Sequence, residues 1–457
     1  MLQWKGNWKH ARWMAGEGDI DLLVDRGAEA QFRNVLEALG FRRADAPVER
    51  RLPGIESHFG LDPVTGRLIH LHVYYRLLLG SYWHVMYRLP IEAPLLQSAT
   101  QGNVFLVPSA EFELLTFVVR MVQRLSPLDV LRPRPPRWLT SIQPELDALL
   151  RKADQGRLGE IVAAHIPVLD VAFIETCIAA LRPDCSRGAR AVLPWRLRRR
   201  LRAHARRPTV RQGLLRWARN LAERVGTGRG GSRNKVAHGG TVVAIVGSDG
   251  AGKTTCTREL AAWLSQGFAV MTAHLGHPPR SLLTLAVGAL LRLGQTMGVS
   301  AASDEARRRA PGYLAALRAL CSARDRHRLY VRARRFAFGG GIALCERYPV
   351  ALTPEFAGPR LDAFAGPLRR TRLGRWLLAA EASYYRRILS PDLLVVLRID
   401  PEIAVRRKTD EPEEYVRRRG HIVWAADWSA TGAHVVDAGG PFDDVLARLK
   451  AVIWREL

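Results

Sequence analysis

The sequence predicts an α/β protein: a C-terminal three-layer α/β domain around a parallel sheet, preceded by an α+β domain and a helical region. Three observations lead there. From Thr241 onward, short apolar runs alternate with helix-length amphipathic segments, the pattern of strands joined by helical crossovers. At the head of that region an apolar run, Val242 to Val246, enters a glycine-rich turn and then an amphipathic helix. Ahead of it, strand-like IDLLV and RLIHLHVYY give way to a helical stretch and an arginine-rich segment ending in glycines.

The chain has 457 residues, 47% hydrophobic and 25% charged, which excludes a disordered or fibrous protein and allows two or more cores. Lys+Arg is 69 against Asp+Glu 43, a net charge of +26, and only seven of the 69 are lysine. Anion binding and a coding bias toward arginine both produce such a charge, so its distribution has to decide. The five cysteines (Cys177, Cys185, Cys256, Cys321, Cys345) are widely spaced, with no CxxC pair. They suggest neither a disulfide framework nor a zinc site, and fit a reducing cytosol. The N-terminus lacks the apolar centre of a signal peptide, and the most apolar stretch, Leu282 to Met297, is short and carries Arg292. A cytoplasmic protein is expected. The composition shifts divide the chain into residues 1–90, 91–225, 226–240 and 241–457.

In residues 1–90, AEAQFRNVLEALGF has helical spacing that puts Phe32, Val35, Leu36 and Leu39 on one face. Before it, Gly16-Glu-Gly-Asp19-Ile-Asp21-Leu-Leu-Val24 places two carboxylates at i and i+2, hence on one side of a strand. This arrangement resembles polymerase-β-type nucleotidyltransferases, most closely their uncharacterised relatives, over about residues 4 to 90. The resemblance implies metal binding by Asp19 and Asp21 across an incoming triphosphate. A Gly-Ser turn and a third carboxylate belong to that pattern. Here Lys5-Gly6-Asn7 stands for the first, and His70 and His72 occupy the strand face where the second is expected.

Residues 91–225 read as helical, from the apolar spacing of EFELLTFVVRMV, ELDALLRKA and VAFIETCIAAL. Residues 184–240 hold 16 Lys+Arg against Asp184 and Glu223, so the charge is concentrated rather than uniform. Trp195, Leu197 and Leu201 alternate with arginines there, and Leu214, Leu215, Trp217 and Leu221 follow Pro208. The segment 187–235 reads either as a solvated helical extension or as a contact with an anionic membrane surface or nucleic acid. GTGRGGSRNKVAHGG, with no core-forming residues, reads as a linker.

The glycine-rich turn of the C-terminal region is Gly247-Ser248-Asp249-Gly250-Ala251-Gly252-Lys253-Thr254-Thr255, which matches G-x-x-x-x-G-K-[ST] between a strand and a helix. Backbone N–H groups and the helix N-terminus would cradle the phosphates of a nucleoside triphosphate. Lys253 can bridge β- and γ-phosphates, and the Thr254 hydroxyl can ligate Mg²⁺. Further strands are expected at Phe268–Thr272, at GIALC ending in Glu346-Arg347-Tyr348-Pro349, at PDLLVVLRID and at HVVDAGGP.

The loop and the order of these elements resemble the thymidylate kinase family over about residues 241 to 457. The resemblance implies an ATP- and Mg²⁺-dependent phosphotransferase acting on dTMP or a similar small phosphate acceptor, with a dimer as the family's habit. It implies that Glu346 binds Mg²⁺ through water and that Arg347 holds the acceptor phosphate. Because glycine stands at 250, where some members carry arginine, it implies that a lid supplies the cation: Arg406, Arg407 or Lys408 first, then Arg417, Arg418 or Arg419. HLGHPPR replaces the family's Arg-Glu-Pro-Gly stretch, which leaves the acceptor open. The alternatives are a nucleotidyltransferase that uses Asp19 and Asp21, and a P-loop ATP-binding switch with a basic contact surface.

Overall fold

The computed structural model describes residues 1–9, 18–48, 50–80, 86–125, 136–206, 214, 234–296, 313–359, 361 and 368–457. Gly16, Glu17, Leu215, Trp217, Leu221 and most of the glycine-rich linker lie outside them. The chain forms two compact units that divide near residue 230. Among the described residues no helix is long and apolar enough to cross a membrane.

The first unit is built on β1 (Leu2–Gln3), β2 (Asp19–Leu23), β3 (Arg42–Asp45), β4 (Ile55–Leu61) and β5 (Leu68–Tyr74), with neighbours in the order β1-β2-β5-β4-β3. β2 and β5 run parallel, which requires a crossover, and helix α1 (Glu29–Ala38) with β3 and β4 supplies it. Leu22, Val24, Leu36, Leu71 and Val73 form a core under this sheet, with Phe32 packed against it. Val35 and Leu39, expected on the same helix face, are exposed instead. The helix ends at Ala38, so Leu39 falls beyond it, and the stripe that faces the core is that of Phe32 and Leu36.

Helix α2 (Ala110–Arg124) is buried over most of its length and is surrounded by α3 (Gln143–Lys152), α4 (Gln155–His165), α5 (Val171–Ala180) and α6 (Arg187–Arg200). Phe112, Leu115, Phe117 and Val122 share one continuous core with Leu2, Trp4, Leu23 and Tyr74. The helical region and the N-terminal strands therefore fold together in one unit. On α6, Leu193 and Leu197 are buried, whereas Trp195 faces solvent at 59% exposure, contrary to an apolar stripe that includes it. Part of the basic charge is internal: the buried Arg190 guanidinium donates to the carbonyls of Ala180, Arg182, Pro183 and Cys185 and so closes the end of α5.

The second unit carries a five-stranded parallel sheet: β6 (Thr241–Gly247), β7 (Val270–His274), β8 (Ile342–Glu346), β9 (Leu393–Arg398) and β10 (His434–Asp437), in the order β7-β8-β6-β9-β10. Each strand falls within a few residues of its expected place. Between them lie α7 (Lys253–Leu264), α8 (Leu282–Thr296), α9 (Tyr313–Phe338), α10 (Arg372–Arg386), α11 (Pro401–Arg407) and α12 (Glu413–Ala425), and α13 (Phe442–Glu456) ends the chain. Val242, Ala244 and Val246 share a core with Tyr330 and Ala333 of α9 and Val423 of α12. The alternate residues Val243 and Ile245 are fully buried as well, so helices cover both faces and the central strand reads as continuously apolar. The strands' C-terminal ends, where parallel sheets bind ligands, carry Gly247, Glu346 and His274.

Candidate active site at the glycine-rich loop

The loop from Gly247 to Thr254 leaves β6 and enters α7 with three glycines at positive φ: Gly247 (153°), Gly250 (83°) and Gly252 (79°). At Gly250 the demand is steric as well as conformational. A Cβ there would lie 2.7 Å from the Ala404 carbonyl oxygen of α11, so an arginine at this position could not be accommodated without moving that helix. α11 therefore packs directly against the loop at Gly250.

Lys253 is buried and its Nζ donates to the Ser248 carbonyl at 2.6 Å. Burial pushes its pKa down to about 8, with Asp249 partly offsetting the effect. The Thr254 hydroxyl donates to Glu346 Oε2 at 2.8 Å, so the two groups expected at the metal lie side by side. Both offer hard oxygen donors, the chemistry Mg²⁺ prefers.

Asp249, 3% exposed, gathers the cations. Its carboxylate accepts from Arg347 Nη2 at 2.6 Å and lies 3.2 Å from Arg419 Nε and 3.8 Å from Lys253 Nζ. The loop thus concentrates two guanidinium groups and one ammonium around a single carboxylate. Arg347 occupies the left-handed region at φ 50°. That conformation is costly for a residue with a side chain and is tolerated where surrounding contacts enforce it. Here the side chain crosses Gly276, where a Cβ would approach Arg347 Cδ to 2.6 Å.

The lid expectation is redirected. Arg407 donates to the carbonyls of Ala438, Gly439 and Gly440, which ties α11 to the segment after β10 rather than to the loop. Arg406 is exposed at the end of α11, and Lys408 pairs with Asp410 at 2.7 Å. Arg417 pairs with Glu402 at 2.6 Å, and Arg418 is exposed. Arg419 alone of the six reaches Asp249. It is buried against the rings of Phe356 and Tyr415, with its guanidinium carbon 4.2 Å and 5.3 Å from their centroids. Helical phase explains the choice: Val416, Arg419, Gly420 and Val423 form the inward stripe of α12, whereas 417 and 418 point away.

At Gly276, which the Arg347 side chain crosses, a cavity of about 520 Å³ is lined by His277, Arg280, Thr284, Arg318, Ser322 and Arg326, among others. The neighbouring buried residues Asp325 and Arg326 of α9 shape it. Asp325 accepts from the Ser281 N–H at 2.9 Å and the Thr284 hydroxyl at 2.6 Å, and Arg326 donates to the Leu275 carbonyl at 2.6 Å and the Gly276 carbonyl at 3.3 Å. Together they fix the connection from β7 to α8, the stretch that contains HLGHPPR. Nothing in the spacing of this arginine-rich helix distinguishes those two residues, and the sequence reading missed them.

The N-terminal carboxylates do meet the histidines. Asp19 lies opposite His70 and Asp21 opposite His72 in the β2–β5 register, with His70 Nδ1 2.6 Å from Asp19 Oδ1 and His72 Nδ1 3.5 Å from Asp21 Oδ1. Asp21 Oδ1 is also 2.9 Å from Lys5 Nζ, which donates to the Tyr74 hydroxyl at 3.0 Å. Among the described residues no three His, Cys, Asp or Glu side chains converge as a metal site. The Lys5 ammonium supplies positive charge beside Asp21.

No family model matches the sequence. An Escherichia coli K12 protein described as the uncharacterized ATP-binding protein YghR is 24% identical over 225 residues, spanning 46% of this chain and 86% of the relative. A thymidylate kinase of Xanthomonas campestris pv. campestris B100 is 30% identical over 225 residues, 47% of this chain and 83% of that enzyme. Through a stretch about as long as its second unit, the chain belongs to the thymidylate kinase family.

Proposed function

We propose that the second unit is an ATP- and Mg²⁺-dependent phosphotransferase of the nucleoside monophosphate kinase type, acting on dTMP or a similar small phosphate acceptor. The observation that carries this reading is the convergence of Lys253, Arg347 and Arg419 on Asp249 beside the Thr254–Glu346 pair. Phosphoryl transfer needs positioned cations and a metal rather than a covalent nucleophile, and these groups come from four separate elements to one loop end.

In this reading the loop N–H groups and Lys253 bind the triphosphate. Thr254 and, through water, Glu346 would hold Mg²⁺, which neutralises charge on the phosphates when bound. Arg347 orients the acceptor phosphate, and Arg419 replaces Arg406 and Arg407 as the cation facing the transferred group. The acceptor enters the cavity beside α8 and α9. Its arginines match an anionic substrate, and the altered stretch after β7 sets which one.

The test is an acceptor screen with γ-labelled ATP, covering the nucleoside monophosphates and simple phosphosugars. Transfer to one acceptor class supports the reading. Slow hydrolysis without transfer to any acceptor favours an ATP-dependent switch instead.

A further inference from the structure

In the first unit, a cavity of about 490 Å³ opens beside the aspartate pair. That volume lies in the range of small-molecule sites. Its acidic side is already engaged: Asp19 is hydrogen-bonded to His70, and Asp21 is paired with Lys5. The opposite wall comes from the last turns of α2, where Arg120, Gln123 and Arg124 line the cavity. The Gln123 amide nitrogen and oxygen and Arg120 Nε are buried with no hydrogen-bond partner among the described residues. Arg120 sits 5.5 Å over the Trp4 ring and Arg124 4.8 Å over Trp138, so aromatic faces hold both guanidinium groups in place. Buried polar groups are almost always satisfied, and a cluster of unsatisfied donors in a cavity calls for a ligand that accepts from them. Leu78 and Met86 make part of the remaining wall apolar.

We propose that this cleft is a metal-independent receptor for a small organic phosphate, with the phosphate on Arg120, Gln123 and Lys5 and the organic body against Leu78 and Met86. An Arg fork and an amide N–H match a tetrahedral oxyanion. Burial also pushes the Arg120 pKa down, a penalty that a bound anion would relieve. The site uses none of the residues of the glycine-rich loop and does not depend on the kinase reading.

The experiment is calorimetric titration of the full chain with phenyl phosphate in EDTA, using a Lys253→Ala background to weaken phosphate binding at the loop. Saturable binding that is unchanged by Mg²⁺ and weakened at least tenfold by Gln123→Leu is expected. Gln123→Leu removes an amide that has no hydrogen-bond partner among the described residues, so the fold should persist; matching melting curves check this. Arg120→Gln should weaken binding further. No saturable binding, binding indifferent to the cleft substitutions, or binding that requires Mg²⁺ and vanishes in Asp19→Asn/Asp21→Asn would each overturn the proposal.

Discussion

Replacing Asp249 by Asn keeps the side chain's shape and removes its charge from the centre of three cations. In the native loop the carboxylate is 3% exposed and meets Arg347 at 2.6 Å, Arg419 at 3.2 Å and Lys253 at 3.8 Å. Removing one partner of a buried ion pair costs about 3–5 kcal/mol. The Arg347 side chain is 21% exposed, so water screens part of its share, and about 2–3 kcal/mol is the expected loss. A transition in a unit of this size moves by about 2–4 °C per kcal/mol, which gives a fall of about 4–12 °C. The same change leaves the loop more positive. Bound triphosphate then replaces the missing carboxylate, so saturating ATP should raise the variant's transition by more than it raises the wild type's. Scanning calorimetry of the full chain, with and without ATP and Mg²⁺, measures both effects on the ATP-sensitive transition. An unchanged transition without ATP, together with an equal ATP shift in both proteins, would refute the idea that Asp249 holds the cations in place.

Four further outcomes are expected. Lys253→Ala should abolish ATP-dependent transfer in a folded protein, measured by labelled-phosphate transfer beside a melting curve. The Lys253 pKa of about 8 lies below its ordinary 10.5, so the folded state binds fewer protons between those values. Stability should therefore rise with pH across that window, while the ATP dissociation constant, which needs the ammonium form, stays flat below about pH 7 and climbs above pH 8; Lys253→Arg should flatten the climb. Arg419→Ala should lower kcat by about 10²-fold or more with a smaller change in ATP affinity, as for other charge-stabilising groups, whereas Arg407→Ala should act on the melting temperature; steady-state kinetics and melting curves separate them. Asp21→Asn should leave transfer intact but destabilise the first unit by about 1–3 kcal/mol, because Lys5 loses its acid. Burial raises the Asp21 pKa, but His72 and Lys5 outweigh it and the net shift is downward, so this stability is present above the ordinary carboxylate range and is lost as pH falls through the lowered value. Denaturant melts at pH 7 and pH 3 measure that difference.

Two carboxylates at i and i+2 on a strand look like a repelling pair whose removal should be cheap. In the folded protein His70 hydrogen-bonds Asp19 and Lys5 pairs with Asp21, and Lys5 arrives from the segment after β1 through strand pairing that no local pattern encodes. The histidines were legible because strand alternation puts His70 and His72 on one face; that this face lies against Asp19 and Asp21 depends on the β2–β5 register.

What the sequence by itself determined is the glycine-rich loop and the parallel sheet around it. The loop consists of contiguous residues whose backbone does the binding, so spacing alone specifies it, and a central strand buried on both faces has to be apolar throughout. What only the tertiary structure decided is which of many arginines face the loop. Arg347 lies 98 residues from Asp249, and Arg419 is one of three consecutive arginines with the same composition and propensity. Their difference is a rotation of about 100° per residue around α12, and its meaning depends on how that helix packs over Phe356 and β9. A long flexible cation is equally at home in water or beside a buried carboxylate, so its own chemistry does not choose; the three-dimensional position of its backbone does.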